Sequence, residues 1–392
     1  MNDERWDEEL DSPSEDEQEQ VHKGSSRFAR VITVLVTATL IVMAALVFLY
    51  RDQLSSQGLQ RLLGGGSPSG DSYAPYSYEN GTSQCFAAAG DGFAVASSSG
   101  IQLLDSKGAT VVREVCSMDD PALAASGAAA VFFDVGGDTC KLATFDGTVR
   151  DIDAGESILS ASVNDSGYFA VISEESGSKG LVQVFDKEGE LLYQWFSGSG
   201  YPLRAQVSPD SRHLAVLCLT EEGSALHLFK LSSEDEQATL HYPGQLLYDL
   251  SYMSSDRLCL LGSEGMAFAK SDGSAVSEFD FGGLYLAAYD FGGSGFAAVY
   301  LSEYRAGAGG TLVTLDSDGT ELGRTALDGD LISLSARGRQ VLFAASDGLE
   351  LYSQALQLIE SDRELVTAKH AILRPKGDVL LLSSFAAEPF DF

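Results

Sequence analysis

The groups able to move protons, hold metals or attack carbonyls are scattered along this chain rather than clustered. Four histidines lie beyond residue 71, His213, His227, His241 and His370, and no two stand at metal-ligand spacing. There is no H-E-x-x-H pair, no P-loop and no G-x-S-x-G elbow to present a nucleophile. Five cysteines, Cys85, Cys116, Cys140, Cys218 and Cys259, form no C-x-x-C pair. Leu217-Cys218-Leu219 and Leu258-Cys259-Leu260 place two of them as small buried hydrophobes. The odd count argues against a full disulfide framework and leaves one bridge open, such as Cys116 to Cys140. Carboxylates are too numerous for one pair to stand out as an acid/base couple. The expectation is no catalytic residue, no metal site and no cofactor.

What the spacing does bring together is aromatic rings with arginine. Tyr193, Trp195, Phe196, Tyr201 and Arg204 surround the turn Gly198-Ser199-Gly200. Tyr300, Tyr304 and Arg305 precede Gly307-Ala308-Gly309-Gly310, a hairpin long enough to project. Rings beside glycine-rich loops make binding patches, and arginine adds a cation–π or carboxylate contact. The candidate binding residues are therefore Tyr193, Trp195, Tyr201, Arg204, Tyr304 and Arg305. The competing reading is packing between repeats for the first group and an ordinary loop for the second.

Charge narrows the partners. The chain has 57 acids against 25 bases, a net charge of −32. Nucleic acid is excluded, because phosphate binding needs clustered lysine and arginine. The acidity serves solubility first, and a cation-binding or basic-partner surface second.

The elements that must position these residues are short strands. From Gln84 onward, runs of Val, Leu, Phe, Tyr and Ala are broken every eight to twelve residues by Gly, Asp, Ser and Asn. One class of turn recurs near Gly92, Gly127, Gly167, Ser211, Ser255, Gly295, Gly338 and Gly377, at gaps of 35, 40, 44, 44, 40, 43 and 39 residues. A second class lies between, as in Leu104-Asp105-Ser106-Lys107-Gly108, Phe145-Asp146-Gly147, Phe185-Asp186-Lys187-Glu188-Gly189, Ser271-Asp272-Gly273 and Leu315-Asp316-Ser317-Asp318-Gly319. Asp followed by Gly suits a tight hairpin turn, which explains these aspartates better than calcium does. Two hairpins per period means four strands per unit, the size of a β-propeller blade.

The predicted fold is all-β, a propeller of about eight four-stranded blades, with seven as the alternative. The predicted blades span 84–118, 119–156, 157–199, 200–244, 245–283, 284–330, 331–365 and 366–392. The last is short of a strand, which the segment 72–79 can supply to remove the free edge.

Upstream, Val31 to Tyr50 is twenty residues without charge, Pro or Gly. At 1.5 Å per residue it spans about 30 Å, a bilayer's hydrocarbon core. Lys23, Arg27 and Arg30 precede it, which places the N-terminus in the cytoplasm and the repeats outside. A cleaved signal peptide fits less well, because thirty mostly acidic residues come first and no A-x-A-like site follows. Residues 1–30 read as an acidic, disordered cytoplasmic tail, and 51–71 as a helical extension with a Gly/Ser linker. Residues 72–392 form the extracytoplasmic propeller.

Gly200-Tyr201-Pro202-Leu203, Ser208-Pro209-Asp210, the Gly100 to Gly108 hairpin and Arg374-Pro375-Lys376-Gly377 carry a resemblance. In layout the chain resembles, from 27 to 392, a family of uncharacterised, membrane-anchored propeller proteins of Gram-positive bacteria. That resemblance implies a domain of unknown function and brings no catalytic residues. The WD dipeptides of WD40 blades and the per-blade tryptophan of quinone-binding propellers are absent from the repeats. The expected role is a binding or scaffold module at the cell surface, with a protein or cell-envelope partner. The alternative is a lyase or hydrolase with its site in the central funnel. Signalling through the single helix is weaker, because the helix lacks a G-x-x-x-G dimer face.

Overall fold

In the computed structural model the described residues are 76–78, 83–155, 157–233, 235–305, 308–363 and 366–392. The expected tail, membrane helix and linker lie outside them. Among the described residues no helix is long and apolar enough to cross a membrane.

The sheets follow one another along the chain. Each of the first five is a meander of four consecutive antiparallel strands, running over 85–115, 121–151, 158–196, 201–243 and 247–280. A sheet of seven strands follows, from Tyr285 to Asp362. Its strand Glu321–Arg337 is 17 residues long. The first part of that strand pairs with Ala308–Asp316 and the second part with Gln340–Ala345, so it ends one four-stranded unit and starts the next. The final sheet takes three strands from the C-terminus, His370–Leu373, Val379–Leu382 and Ala386–Phe390. Its fourth is Tyr76–Ser77, in register Tyr76 with Ala387 and Ser77 with Ala386. The segment just before the first repeat thus does supply the missing strand.

Middle strands read as continuous apolar runs because both sheet faces are covered. Phe169–Ser173, Leu181–Phe185 and Phe296–Ser302 are buried at every position. Outer strands alternate, as in Leu191–Phe196. The apolar clusters lie between sheets: Ile172, Val182 and Val184 of the third pack on Val207, Val216 and Phe229 of the fourth. The same packing joins the ends, where Phe93, Val95 and Leu104 of the first sheet meet Leu380, Leu382 and Ala387 of the last. These are the blades of a propeller, closed by its own N-terminal strand.

Turn chemistry behaves as the aspartates require. Asp105 Oδ1 accepts from the N–H of Lys107 at 2.8 Å and of Ala109 at 2.9 Å. Asp186 and Asp316 repeat that pattern on the residues two and four further on. The glycine that follows adopts positive φ, +80° at Gly108 and +82° at Gly319, where a side chain is strained. All five cysteines are free thiols, so no Cys116–Cys140 bridge exists in this structure. Burial pushes the thiols of Cys140 and Cys218 up to about 12.

One irregularity repeats. The inner strands of five successive blades shift register near their starts: between Ile158 and Ser160, Pro202 and Arg204, Leu247 and Asp249, Leu286 and Ala288, and Leu331 and Ser333. Each shift is a β-bulge that leaves one residue out of the ladder: Leu159, Leu203, Tyr248, Ala287 and Ile332.

Candidate binding face and axial cavity

A four-stranded meander puts its first and third turns at one end and its second turn at the other. The connections between blades join that other end. The two ends of this propeller therefore have different chemistry. At the tight-turn end most turn aspartates hold backbone N–H groups, as at Asp105, Asp186 and Asp316. At the crossover end Glu174, Glu175, Glu221, Glu222, Glu303 and Asp328 are exposed. Among the described residues their carboxylates accept no hydrogen bond. Lys179, Arg305, Arg363 and Lys369 are the bases in the described connections of that end. Large apolar side chains are exposed there as well: Phe196 at 51%, Tyr201 at 55%, Leu246 at 59% and Tyr304 at 66%.

The candidate residues divide by where their strands lie. Tyr193 and Trp195 sit on the outer strand of the third blade and face the fourth. The Trp195 ring lies 5.1 Å from Phe229 and 5.1 Å from His227, and that of Tyr193 lies 5.9 Å from Phe229. His227 is in turn held by Glu236 at 2.8 Å. Here the rings serve blade packing. Tyr201 opens the next inner strand at the crossover end, where Lys179 Nζ donates to its hydroxyl at 3.1 Å and lies 4.7 Å from its ring centroid. Tyr304 projects from the hairpin after Phe296–Ser302, and the Arg305 guanidinium lies 5.6 Å from the Tyr285 ring. Tyr300, by contrast, is fully buried, and its hydroxyl donates to the Leu327 carbonyl at 3.2 Å.

Arg204 leads to groups that the sequence spacing did not connect. Its Nε donates to Asp249 Oδ1 at 3.1 Å, and the Tyr289 hydroxyl donates to Asp249 Oδ2 at 2.7 Å. These three residues belong to the inner strands of three successive blades. Tyr289 borders an open depression of about 440 Å³ on the inner strands, which it lines with Tyr248, Ala288, Ile332, Ser333 and His370. Ser333 Oγ is engaged with the Ala371 backbone, accepting at 2.9 Å and donating at 3.2 Å. Burial holds the His370 imidazole below its ordinary pKa, so it is neutral at pH 7. Burial, then the Asp249 carboxylate, raise the Tyr248 and Tyr289 phenols, which stay protonated. No carboxylate lines the cavity. Among the described residues no group of three His, Cys, Asp or Glu could hold a metal ion. The signal that marks these residues is their shared offset: Tyr248, Ala287 and Ile332 occupy the same bulge position in three successive inner strands.

Solved structures share the fold at low identity. The computationally designed Ika8 protein superposes with a TM-score of 0.58 at 13% identity, over 82% of this chain and 100% of its own. Sqt1 of Chaetomium thermophilum, solved bound to the N-terminus of the ribosomal protein L10, gives 0.57 at 11% identity, over 82% and 100%. The C-terminal WD40 domain of Sif2 gives 0.55 at 11%, over 81% and 97%. No curated protein matches the chain. Residues 72–356 match the model of a family of unknown function, DUF5711, and the chain belongs to that family.

Proposed function

We propose that this chain is a single-pass membrane protein presenting an eight-bladed propeller as a binding platform outside the membrane. Its partner binds at the crossover end and is a protein or envelope component bearing a basic segment. The observation that carries this reading is the difference between the two ends. One uses its aspartates to hold its own turns, while the other leaves carboxylates and aromatic rings exposed. Aromatic side chains surrounded by unpaired charge suit a surface that meets a partner of opposite sign. Among the earlier candidates, Tyr201, Tyr304 and Arg305 belong to this face, and Arg204 lies at its axis. The count of eight follows from reading the seven-stranded sheet as two blades sharing one long strand. The membrane anchor rests on Val31 to Tyr50, and the cytoplasmic N-terminus on Lys23, Arg27 and Arg30. This layout extends the resemblance to membrane-anchored propellers of Gram-positive bacteria.

The lyase or hydrolase alternative needs convergent catalytic groups in the funnel. His370 is available there, but Asp249 is committed to Arg204 and Tyr289, which leaves it without a carboxylate partner in the cavity.

Two measurements test the reading. Protease added to intact cells should digest the propeller, and protection of the propeller would reverse the orientation. Affinity purification of the full chain from solubilised membranes should recover a partner that a variant carrying Glu221→Lys and Glu222→Lys loses. Equal recovery by both proteins would move the binding surface elsewhere.

A further inference from the structure

Resting on that reading, we infer that the basic segment of the partner docks along the heads of the inner strands of the fourth, fifth and sixth blades, with one of its arginine side chains in the recess beside Leu246. Register places this strip. Tyr201, Leu246 and Tyr285 each stand one residue ahead of the last ladder position before the bulge, which is Pro202, Leu247 and Leu286. They are 55%, 59% and 45% exposed. In the third and seventh blades the same position is Ser157 and Asp330, so the apolar run ends at three. Register also sets an exposed glutamate of the second turn beside each head. Tyr201 pairs with Leu219, two residues before Glu221. The Leu246 carbonyl accepts from the Ser263 N–H at 3.3 Å, next to Glu264. Tyr285 pairs with Ser302, next to Glu303.

The protein's own cations show what these positions hold. Lys179 Nζ lies 4.7 Å from the Tyr201 ring centroid, and the Arg305 guanidinium 5.6 Å from that of Tyr285. Leu246, between them, borders an open recess of about 240 Å³ with Met266, Glu264, Glu278 and Asp280, and among the described residues no base lines it. Glu278 accepts from Gln245 Nε2 at 3.2 Å and Asp280 from the Gly282 N–H at 2.7 Å, each with lone pairs left over. Tyr242, which clusters with Leu247 of the recess wall, is 5% exposed, and its hydroxyl has no hydrogen-bond partner among the described residues. Burial, then the Glu278 carboxylate, raise that phenol, so the hydroxyl stands within the field of a carboxylate of the recess. A recess of this size holds one long side chain. Three carboxylates, with an unpaired hydroxyl behind them, suit the planar fork of five N–H donors on a guanidinium, while its methylenes lie along Leu246 and Met266.

The test uses the full chain in detergent and two labelled peptides, Phe-Lys-Lys-Arg-Lys-Lys-Phe and its counterpart with citrulline for arginine, with binding read by fluorescence anisotropy. Face-packed sheets stand about 10 Å apart and an extended chain rises about 3.3 Å per residue, so the arginine is set about three residues from each ring. The arginine peptide should bind at least tenfold more tightly. Glu264→Gln with Glu278→Gln, which keeps the shape and the Gln245 contact, should remove that difference. Glu174→Gln with Glu175→Gln, an equal loss of charge on the third blade, should preserve it. Tyr201→Ser with Tyr285→Ser should weaken both peptides, and unchanged binding there would remove the strip. Glu221→Lys with Glu222→Lys should also weaken both. If the arginine preference survives loss of Glu264 and Glu278, or falls equally in the two glutamine proteins, the recess is refuted while the acidic face stands. If neither peptide binds at millimolar concentration, both ideas fall.

Discussion

Closure of the ring at Tyr78 can be tested with one atom. The Tyr78 hydroxyl lies 2.6 Å from the Ser383 carbonyl and 2.9 Å from that of Ala386. Its backbone N–H donates to the Phe385 carbonyl at 3.2 Å. Its ring is 6% exposed and stands 5.4 Å from Phe86 and 5.8 Å from Phe93, both in the first blade. One residue therefore ties the last sheet to the first. Tyr78→Phe keeps the ring and removes the donor. Ala386 O still accepts from Ser383 N at 2.8 Å, but Ser383 O loses the tyrosine. A buried acceptor left unmatched costs about 1–3 kcal/mol. Tyr78→Ala also deletes a buried ring, for about 3–5 kcal/mol in all. At about 2 °C per kcal/mol for a domain of this size, Tm should fall by about 2–6 °C for Phe and about 6–10 °C for Ala. The assay is thermal unfolding of the full chain in detergent, paired with hydrogen exchange. Protection should fall first in Val379–Leu382 and Ala386–Phe390, the strands that Tyr78 seals, and later in Phe169–Ser173 on the third blade. A Tyr78→Ala protein with native Tm and native protection in the last sheet would refute closure by this residue.

Arg374 should matter similarly from the opposite end of the same seam. It is 8% exposed and donates to the Ser106 carbonyl at 3.2 Å while paired with Asp378, so Arg374→Met should lower Tm, and Asp378→Asn should lower it less. Gly319→Ala and Gly136→Ala form a matched pair at φ +82° and +80°. A Cβ at 319 would lie 2.3 Å from Ser277 Oγ and 2.6 Å from the Phe268 ring, whereas nothing lies within 4 Å at 136. Gly136→Ala should cost about 1 kcal/mol and Gly319→Ala about 1–3 kcal/mol more, read from denaturant midpoints. The Thr144 hydroxyl lowers Asp146 to about 2, and the Ser274 hydroxyl lowers Asp272. A depressed carboxylate stabilises above its unfolded pKa, so this stability is lost as pH falls from about 4 toward 2. Asp146→Asn should flatten that acid limb in a pH series of melts and leave the slope near neutrality unchanged. His370, also depressed, should cost stability as pH drops below about 6.5, and His370→Gln should remove that slope.

The blades were legible because their signals are local. A hairpin is specified by its turn, and Asp105 to Gly108 or Asp316 to Gly319 state both the turn and the side chain that closes it. Repetition at one period then fixes the four-stranded unit without any long-range information. The Tyr76–Ser77 strand was legible for a different reason: an open last blade needs an edge partner, and only the segment before the first repeat had none. The axial group was not legible, because each member looks ordinary on its own strand. Arg204 was singled out for its neighbours in sequence, Tyr201 and Trp195, yet its partner Asp249 lies 45 residues away. Tyr193 and Trp195 show the converse. Alternation on an outer strand exposes one edge of a ring while the next blade covers its face, and sequence spacing cannot separate that from a binding patch.

The assignment of a binding end follows from how each end satisfies its backbone. Tight two-strand turns leave donors unpaired unless a side chain accepts from them, so the aspartates of the tight-turn end are consumed by the fold. Replacing them is a change in stability before it is a change in surface. The crossover connections use side chains this way less often, as where Asp134 accepts from the Asp120 N–H and Asp280 from the Gly282 N–H, because strands and backbone turns satisfy most of their N–H groups. Glu174, Glu175, Glu221, Glu222, Glu303 and Asp328, which hold no such group, can vary at little cost to the ring. The recurrent bulges add to the same end, since each lies next to the start of an inner strand and releases one residue toward the axis. Apart from the Tyr78 seal, which ties the last blade to the first at the crossover turn Ser383–Ala386, the tight-turn end spends its side chains on its own turns and the crossover end has side chains to spare for a partner.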